Sequence, residues 1–593
     1  MAGLRRGHAK SRRAERVALP LAGGLTAALL VVMLYYPVGT VLVEAVTSNG
    51  TVSLAPLADV LTDPFYVGAL ADAVRNPAGI PAGLAAWLRR PDIPGFGLFG
   101  FTVWQALLST AASLALGLPG AYTLARFEFP GRGALRSLTA VPFVLPSIMV
   151  AVGFVAAFGK TGPLNDLLRG LGLPTIELVF TLEIIVLAHA FYNAPLVVRI
   201  VAAAWESVDA RAVETARSLG ASPTRAFRDV VVPQLLPAIA TGALLTFIFT
   251  FMSFPIVLAL GGLKLATVEV WLFDRVQNLE LTEAAALAVI ETAVSLALTY
   301  AYLRYEAAAT RGDRVATPLP REPLIGPPDL RRVGLLAYGL VVAVVFVLPV
   351  ASMLAASVAA PDGGFTIRYY EFLLGQRAAP SATKPGVAVR NSLLFGAGTL
   401  ALAVPMGLVL ALASLREGLA ARLVGVAAMV PFAVSGVVVG FGLLEGLVFG
   451  VEAFGTRLAV AGPVAIVAAH AVGAYPFVVR NVAPLLGGLD RRLVESARAL
   501  GATRARALVD VEVPLIAPGI AAGAAFAFAI SIGEFDSTVI LAEGSDAYTM
   551  PVAVERYLTD RTLGPATAMG SVLLGVTAGS FLVIDRLGGR YRE

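Results

Sequence analysis

The sequence predicts an all-α polytopic membrane protein of about twelve transmembrane helices, arranged as two homologous six-helix halves, and three observations carry that expectation. Of the 593 residues, 57% are hydrophobic and only 14% are charged, a balance that belongs to chains living in lipid. About a dozen runs reach the roughly 20 apolar residues that a helix needs to cross a hydrocarbon core ~30 Å thick at ~1.5 Å per residue. Finally, Val213 to Gly242 (VETARSLGASPTRAFRDVVVPQLLPAIATG) returns without a gap as Val494 to Gly523 (VESARALGATRARALVDVEVPLIAPGIAAG), with 17 of 30 positions identical. Self-similarity at so long a period marks a duplicated unit.

The apolar runs lie near 18–45, 101–125, 137–158, 181–204, 234–260, 283–303, 333–358, 390–413, 423–450, 462–483, 515–541 and 563–585. Residues 1–17 form a basic N-terminus with Arg5, Arg6, Lys10, Arg12, Arg13 and Arg16. The apolar run behind them is too long for the core of a secretion signal and lacks an A-x-A cleavage site, so it is expected to be a retained first span with its N-terminus in the cytoplasm. Counting from there, the loops 126–136, 205–233, 304–332, 414–422 and 484–514 and the C-terminal tail fall inside, and all are basic. The opposite set, 46–100, 159–180, 261–282, 359–389, 451–461 and 542–562, is poorer in Lys and Arg for its length, as the positive-inside bias requires. The net charge of +5 is thereby explained by topology, and no nucleic-acid partner is expected. With no cysteine in the chain, disulfides, thiolate metal sites and cysteine nucleophiles are excluded.

The stretch from Ala307 to Pro328 is rich in Pro and charge and has no apolar period, which predicts a flexible cytoplasmic tether. The expected organisation is a first six-helix unit at 18–306, a linker at 307–332, a second unit at 333–586 and a cytoplasmic tail at 587–593. Because each half holds an even number of spans, the copies enter the membrane from one side and would form a parallel pseudo-dimer with a pathway at its interface. The repeated segment itself predicts two short helices joined by a turn. Asp209 suits the cap of a first helix and Gly220 its left-handed end. Ser222 caps a second with Pro223 in its first turn, and Pro233 ends that helix and opens the next span. Asp490, Gly501, Thr503 and Pro514 repeat the scheme, with Arg504 in place of the proline.

Glu214-Thr215-Ala216, Gly220 six residues after the Glu, then Val230, Val232 and Pro233 resemble the EAA motif of permease subunits in binding-protein-dependent ABC importers. Glu495-Ser496-Ala497, Gly501, Val511, Val513 and Pro514 resemble it again. The departures are Thr215 and Ser496 at the first Ala and Val for Ile or Leu. The resemblance implies a type I importer-like fold in which each elbow is a coupling helix seated on an ATPase subunit. On that reading Glu214, Ala216, Gly220, Phe227 and Pro233 form one coupling set, and Glu495, Ala497, Gly501, Leu508 and Pro514 the other. The plain alternative is a basic loop in which Glu214 and Glu495 pair with Arg217 and Arg498. No G-x-x-x-x-G-K-S/T loop occurs, so ATP and Mg would be bound by a separate polypeptide, expected in two copies, and this chain holds no cofactor and no metal. Together with the fusion of two units, FGKTGPLNDLLRGLGL (158–173), LAHAFYNAPLVVR (187–199), LALGGLKLATVEV (258–270) and SIGEFDSTVIL (531–541) resemble the thiamine permeases and their relatives, the ferric iron permeases. A solute-binding protein on the outer face and thiamine as substrate are what this implies, with ferric iron the second choice.

Polar side chains inside spans are costly and mark cavities or partners. Glu534 and Asp536, with the repeat-related Ser253, are candidates for the translocation path, where their charge would favour a cation; the alternative is an outer boundary position paired with Arg556 or Arg561. His189 and His470 occupy matching places, the first followed by Asn193, and are read either as path residues or as helix-packing hydrogen bonds. Glu291 and Glu445 have no assigned role. No catalytic constellation is present among only three histidines, so the chain is expected to be a transporter subunit, not an enzyme. An ion-coupled secondary transporter of six plus six spans is the rival class; its G-x-x-x-D-R-x-G-R loop is replaced here by ARFEFPGRGAL.

Overall fold

The computed structural model describes residues 17–589 apart from 49, 69–84, 86–92, 140–144, 310–316, 325, 327–328, 361–362, 376–382, 416–417, 454 and 561. The basic N-terminal residues, Arg311 and Arg314 of the linker, Arg561 and Arg590 thus lie outside the described part. Among the described residues the chain is helical, with three two-stranded pairings and no larger sheet. Ten helices among the described residues are long and apolar enough to cross a membrane, or eleven if one bent pair counts as a span. The ninth expected run, 423–450, is the main departure. It divides into Leu419–Ala427, a 3-10 turn Val430–Ala433 and an apolar helix from Gly436, because Pro431 lacks the N–H that would continue the ladder. Helix Leu563–Gly589 occupies the twelfth run.

The packing divides the chain into two compact units that cut across the sequence halves. One unit is built from 44–372 with 557–571, the other from 1–43 with 373–556 and 572–593. Each has the same three-helix centre. In the first, Leu182–Glu206 packs on Ile93–Arg126, and both pack on Val232–Phe251; in the second, Gly462–Gly488, Pro385–Ser414 and Val513–Gly533 repeat the arrangement. Small residues allow the close approach that lipid-embedded helices rely on: a Cβ on Gly117 would stand 2.7 Å from Val197 Cβ, and one on Gly407 2.7 Å from Val478 Cγ1.

Each unit also takes in the opening helix of the other sequence half. In the second unit Gly442 receives Pro37, and a Cβ at Gly442 would fall 2.7 Å from the Pro37 carbonyl carbon; Tyr36 donates to the Gly446 carbonyl at 3.2 Å. In the first unit the equivalent Gly153 receives Pro349, 3.0 Å from its carbonyl oxygen to a Cβ at Gly153, and Tyr338 donates to the Leu116 carbonyl at 2.7 Å. The same contact, a proline set into a glycine notch, is therefore made once in each unit.

The expected spans 234–260 and 515–541 are both interrupted. Val232–Phe251 ends at Met252, whose φ of −91° and ψ of 16° leave the helical region, and Pro255–Gly261 begins a new helix with its proline in the first turn, where the missing N–H costs little. The chain then bends by 79° between 255–265 and Val268–Gln277. In the second copy Val513–Gly533 stops at Glu534, and Thr538–Leu541 follows. At this second break sits a largely buried carboxylate, Glu534, with 15% of its side chain exposed.

Candidate functional site

The repeated segment folds into the same elbow twice. Span Leu182–Glu206 ends, and Asp209 accepts from the Arg211 N–H at 3.1 Å to cap Ala210–Ser218; Asp490 accepts from Arg492 N–H at 2.9 Å to cap Arg491–Ala499. Each cap is worth about 1 kcal/mol. Gly220 and Gly501 sit at φ +89° and +94°, a region that costs other residues roughly 1–2 kcal/mol. The N–H of each glycine donates to Arg217 O or Arg498 O at 3.0 Å, and the following N–H, of Ala221 or Ala502, reaches back to Ala216 O at 3.0 Å or Ala497 O at 3.1 Å. This double closure is the Schellman motif, and it gives Ala216 and Ala497 a backbone role at the bend. Ser222 and Thr503 then cap the next segment, accepting from Arg225 and Arg506 N–H at 3.2 Å each.

One expectation is corrected here. Pro233 and Pro514 do not end a second short helix: Pro223–Phe251 and Arg504–Gly533 are each one continuous helix of 29 and 30 residues. A wide, π-helical turn, Phe227–Val231 or Leu508–Glu512, precedes Val232-Pro233 or Val513-Pro514. Proline clashes with the carbonyl four residues before it, here Asp229 or Asp510, which lies at the centre of the wide turn. The widening moves that carbonyl aside, and the helix passes through without a break.

Glu214 and Glu495 are exposed, and among the described residues neither forms an ion pair, with Arg217, Arg498 or any other group. Leu219 and Leu500, at the tips, are 83% and 91% exposed. Phe227 is partly exposed beside the stacked ring of Trp205, whereas Leu508 is buried. Each elbow thus presents an uncompensated carboxylate and a bare leucine on a stiff bend. The second copy adds an ion pair that sequence reading missed, Arg504 with the buried Glu512. Its signal was available: their counterparts Pro223 and Val231 change together between the copies.

The in-span polar residues form two matching clusters. His189 Nδ1 pairs with Ser109 Oγ and Nε2 with Ser253 Oγ, both at 2.9 Å. His470 Nδ1 pairs with Ser531 Oγ at 2.8 Å; its Nε2 meets Thr538 Oγ1 at 2.8 Å and Glu534 Oε2 at 2.9 Å. Asn193 donates to the His189 carbonyl at 3.0 Å. Both imidazoles have both nitrogens engaged, and each reaches the residue at the break after the long helix, Ser253 or Glu534. Glu534 is no boundary residue held by arginine. Its carboxylate accepts from the Ser537 N–H at 2.7 Å, Ser537 Oγ at 2.8 Å, the Thr538 N–H at 3.2 Å and Thr538 Oγ1. It therefore caps Thr538–Leu541 and ends the preceding helix by taking the N–H groups that would have been left without acceptors. Arg556 pairs instead with Glu555 at 3.4 Å. Asp536 is half-buried against Gly436. Glu291 is buried in Leu281–Ala309 and Glu445 lies in a π-helical turn, Leu444–Val448.

Many long apolar helices and two stiff elbows built on one plan describe a polytopic membrane protein with a duplicated core. The chain belongs to the family described as the binding-protein-dependent transport system inner membrane component, which it matches at residues 113–309 and again at 403–593. Both elbows and both histidine clusters' central residues fall within the matched stretches. The chain is 29% identical over 504 residues to the thiamine transport system permease protein ThiP of Brucella abortus (strain 2308), covering 83% of this chain and 88% of that one. It is 27% identical over 543 residues to ThiP of Salmonella typhimurium, covering 89% and 97%. The molybdenum transport system permease protein ModB of Azotobacter vinelandii is 37% identical over 190 residues, 32% of this chain and 83% of that protein, so it corresponds to a single half. This is a multi-pass inner-membrane permease of fused, two-unit type.

Proposed function

We propose that this chain carries both permease units of an ATP-driven importer that takes up thiamine handed over by a solute-binding protein. The observation that carries the substrate is the length of the likeness: the thiamine permeases match 83% to 89% of this chain, spanning both halves. ATP hydrolysis then belongs to two copies of a separate ATPase, one under each elbow, and the elbows and both termini face the cytoplasm. The sequence repeats 18–306 and 333–586 are the two permease units, joined by the linker 307–332.

In this reading the exposed elbow residues Glu214, Leu219, Phe227, Glu495 and Leu500 form the contact with the ATPase. Ala216, Gly220, Pro233, Ala497, Gly501, Leu508 and Pro514 give the bend its shape. His189 with Ser253 and His470 with Glu534 fix the break that follows each long helix, which sets where the substrate path narrows. Glu534 is occupied by its donors, and Asp536, half-buried two residues on, adds a second negative charge that favours a cation.

The test is uptake of labelled thiamine by vesicles containing the chain, its genomically neighbouring ATPase and binding protein, and internal ATP. Accumulation that thiamine alone supports, among thiamine, its phosphates and ferric complexes, is expected; accumulation of ferric iron in its place overturns the substrate, and uptake without ATP overturns the class.

A further inference from the structure

The linker was expected to be a flexible tether, yet its described part is bound along its length to the base of the first elbow. The Ala210 N–H donates to Thr317 O at 2.8 Å, and Asp209 and Pro318 form an antiparallel bridge. Phe127-Glu128 pair in parallel with Glu322-Pro323, and the Leu324 N–H donates to Glu128 O at 3.0 Å. Arg126 donates to Pro320 O at 2.9 Å. Arg321 reaches Glu206 at 3.2 Å and Glu128 at 3.7 Å, and Glu206 also holds Arg132 at 2.7 Å and Arg136 at 3.2 Å. Leu319 packs on the cluster of Trp205, Val208, Val231 and Leu235, which spans the end of one helix, the entrance to the elbow and the start of the next.

The two halves differ here in a telling way. Span and elbow are joined by the same number of residues in both copies, His189 to Asp209 matching His470 to Asp490 without a gap, so the difference lies in what holds the junction. Glu206, the anchor for Arg321, is replaced by Gly487 in the second copy, and among the described residues no strand pairs with the second elbow. A lever transmits displacement only if its base does not turn, and backbone pairing plus a partly buried, multiply held carboxylate supply that fixity.

We propose that residues 317–324 are a strap that positions the first elbow, with Arg321 as its positioning side chain, so that coupling in the first half depends on the linker as well as on the elbow itself. The proposal rests on the reading of the elbows as ATPase contacts. The strap stays seated throughout the transport cycle.

The chain has no cysteine, so introduced pairs report unambiguously. Spin labels at Ala134→Cys and Ser218→Cys, both exposed and in the same unit, give the elbow's position by pulsed electron resonance. Replacing Arg321 by Ala and Pro318-Leu319-Pro320 by glycines is expected to broaden that distance distribution at least twofold and to lower thiamine moved per ATP hydrolysed about tenfold. Restoring Arg321 as Lys on the native strap is expected to recover most of the ratio. An unchanged distribution, or an unchanged ratio, overturns the proposal. A second variant, Glu128→Cys with Pro323→Cys, joins register partners; the disulfide should form on oxidation and leave transport within twofold. Failure to form it, or transport that stops on oxidation and returns on reduction, overturns the seated strap. Failure of the underlying reading would look different: Leu219→Arg with Leu500→Arg would leave ATPase association intact while the spin-label result with the strap variants stands on its own.

Discussion

At the scale of residues, the two histidine clusters share a plan but not their partners: Nδ1 meets Ser109 of Ile93–Arg126 in one and Ser531 of Val513–Gly533 in the other. His189 meets a serine hydroxyl at 253 where His470 meets the carboxylate of Glu534. A buried group deprived of its partner costs about 1–3 kcal/mol, more when it is charged. His470→Ala should therefore lower the melting temperature in detergent more than His189→Ala does, because only the former strips a partner from a carboxylate. Equal shifts would show that Glu534 is held by Ser537 and Thr538 alone. That the histidines occupy matching places in the apolar runs was legible in the sequence. Which groups they touch was not: Ser531 and Ser253 lie 61 and 64 positions away, and nothing local in a sequence encodes a contact across that distance.

At the scale of elements, the elbow was readable almost entirely from sequence. Caps, the left-handed glycine and the turn are local chemistry, so Asp209, Gly220, Ser222, Asp490, Gly501 and Thr503 act where their neighbours say they should. Gly220→Ala and Gly501→Ala should cost about 1–2 kcal/mol each through φ alone, since a Cβ at either position meets nothing within 4 Å. Transport per ATP would fall while the protein still folds, as measured in reconstituted vesicles; full transport would show that the bend need not be fixed. The wide turn before each proline was not readable, because proline in a helix usually announces a break. Yet π-helical turns at Val31–Tyr35, Phe227–Val231, Ala343–Val347 and Leu508–Glu512 all precede an X-Pro pair that continues as helix. Pro233→Ala should let its turn relax to α-helical register, rotating the elbow by ~100° per residue removed from the turn. The expected readout is a changed pattern of thiol labelling at single cysteines placed along 211–219, together with lost transport. An unchanged pattern would assign the turn to packing and clear the proline.

At the scale of the whole molecule, duplication was plain from sequence, but the division into packing units was not. Periodicity says that a run spans the bilayer; it does not say which partner it chooses there. Gly153 and Gly442 carry the choice, each receiving a proline from the opening helix of the other half. Gly153→Val or Gly442→Val should overfill its notch and cost about 1–3 kcal/mol, and protease susceptibility of the loop after the displaced helix, 47–68 for Gly442→Val, should rise. Unaltered cleavage would mean that the opening helix is held by other contacts. The linker belongs to the same lesson: its lack of apolar period predicted slack, while Arg321 and the 317–323 backbone had partners far upstream, Glu206 115 residues away and Arg126 194 from Pro320.

The exchange of opening helices also sets an order of assembly during synthesis. The helix that leaves the ribosome first packs with 373–556, so it waits in the bilayer while some 500 further residues are made, on the order of a minute at ~5–20 residues per second. During that wait its glycine-notch partner, Gly442, does not exist. A ribosome that stops within the linker would leave an orphaned helix and a first unit lacking the 330–356 segment, so neither unit closes until nearly the whole message has been read.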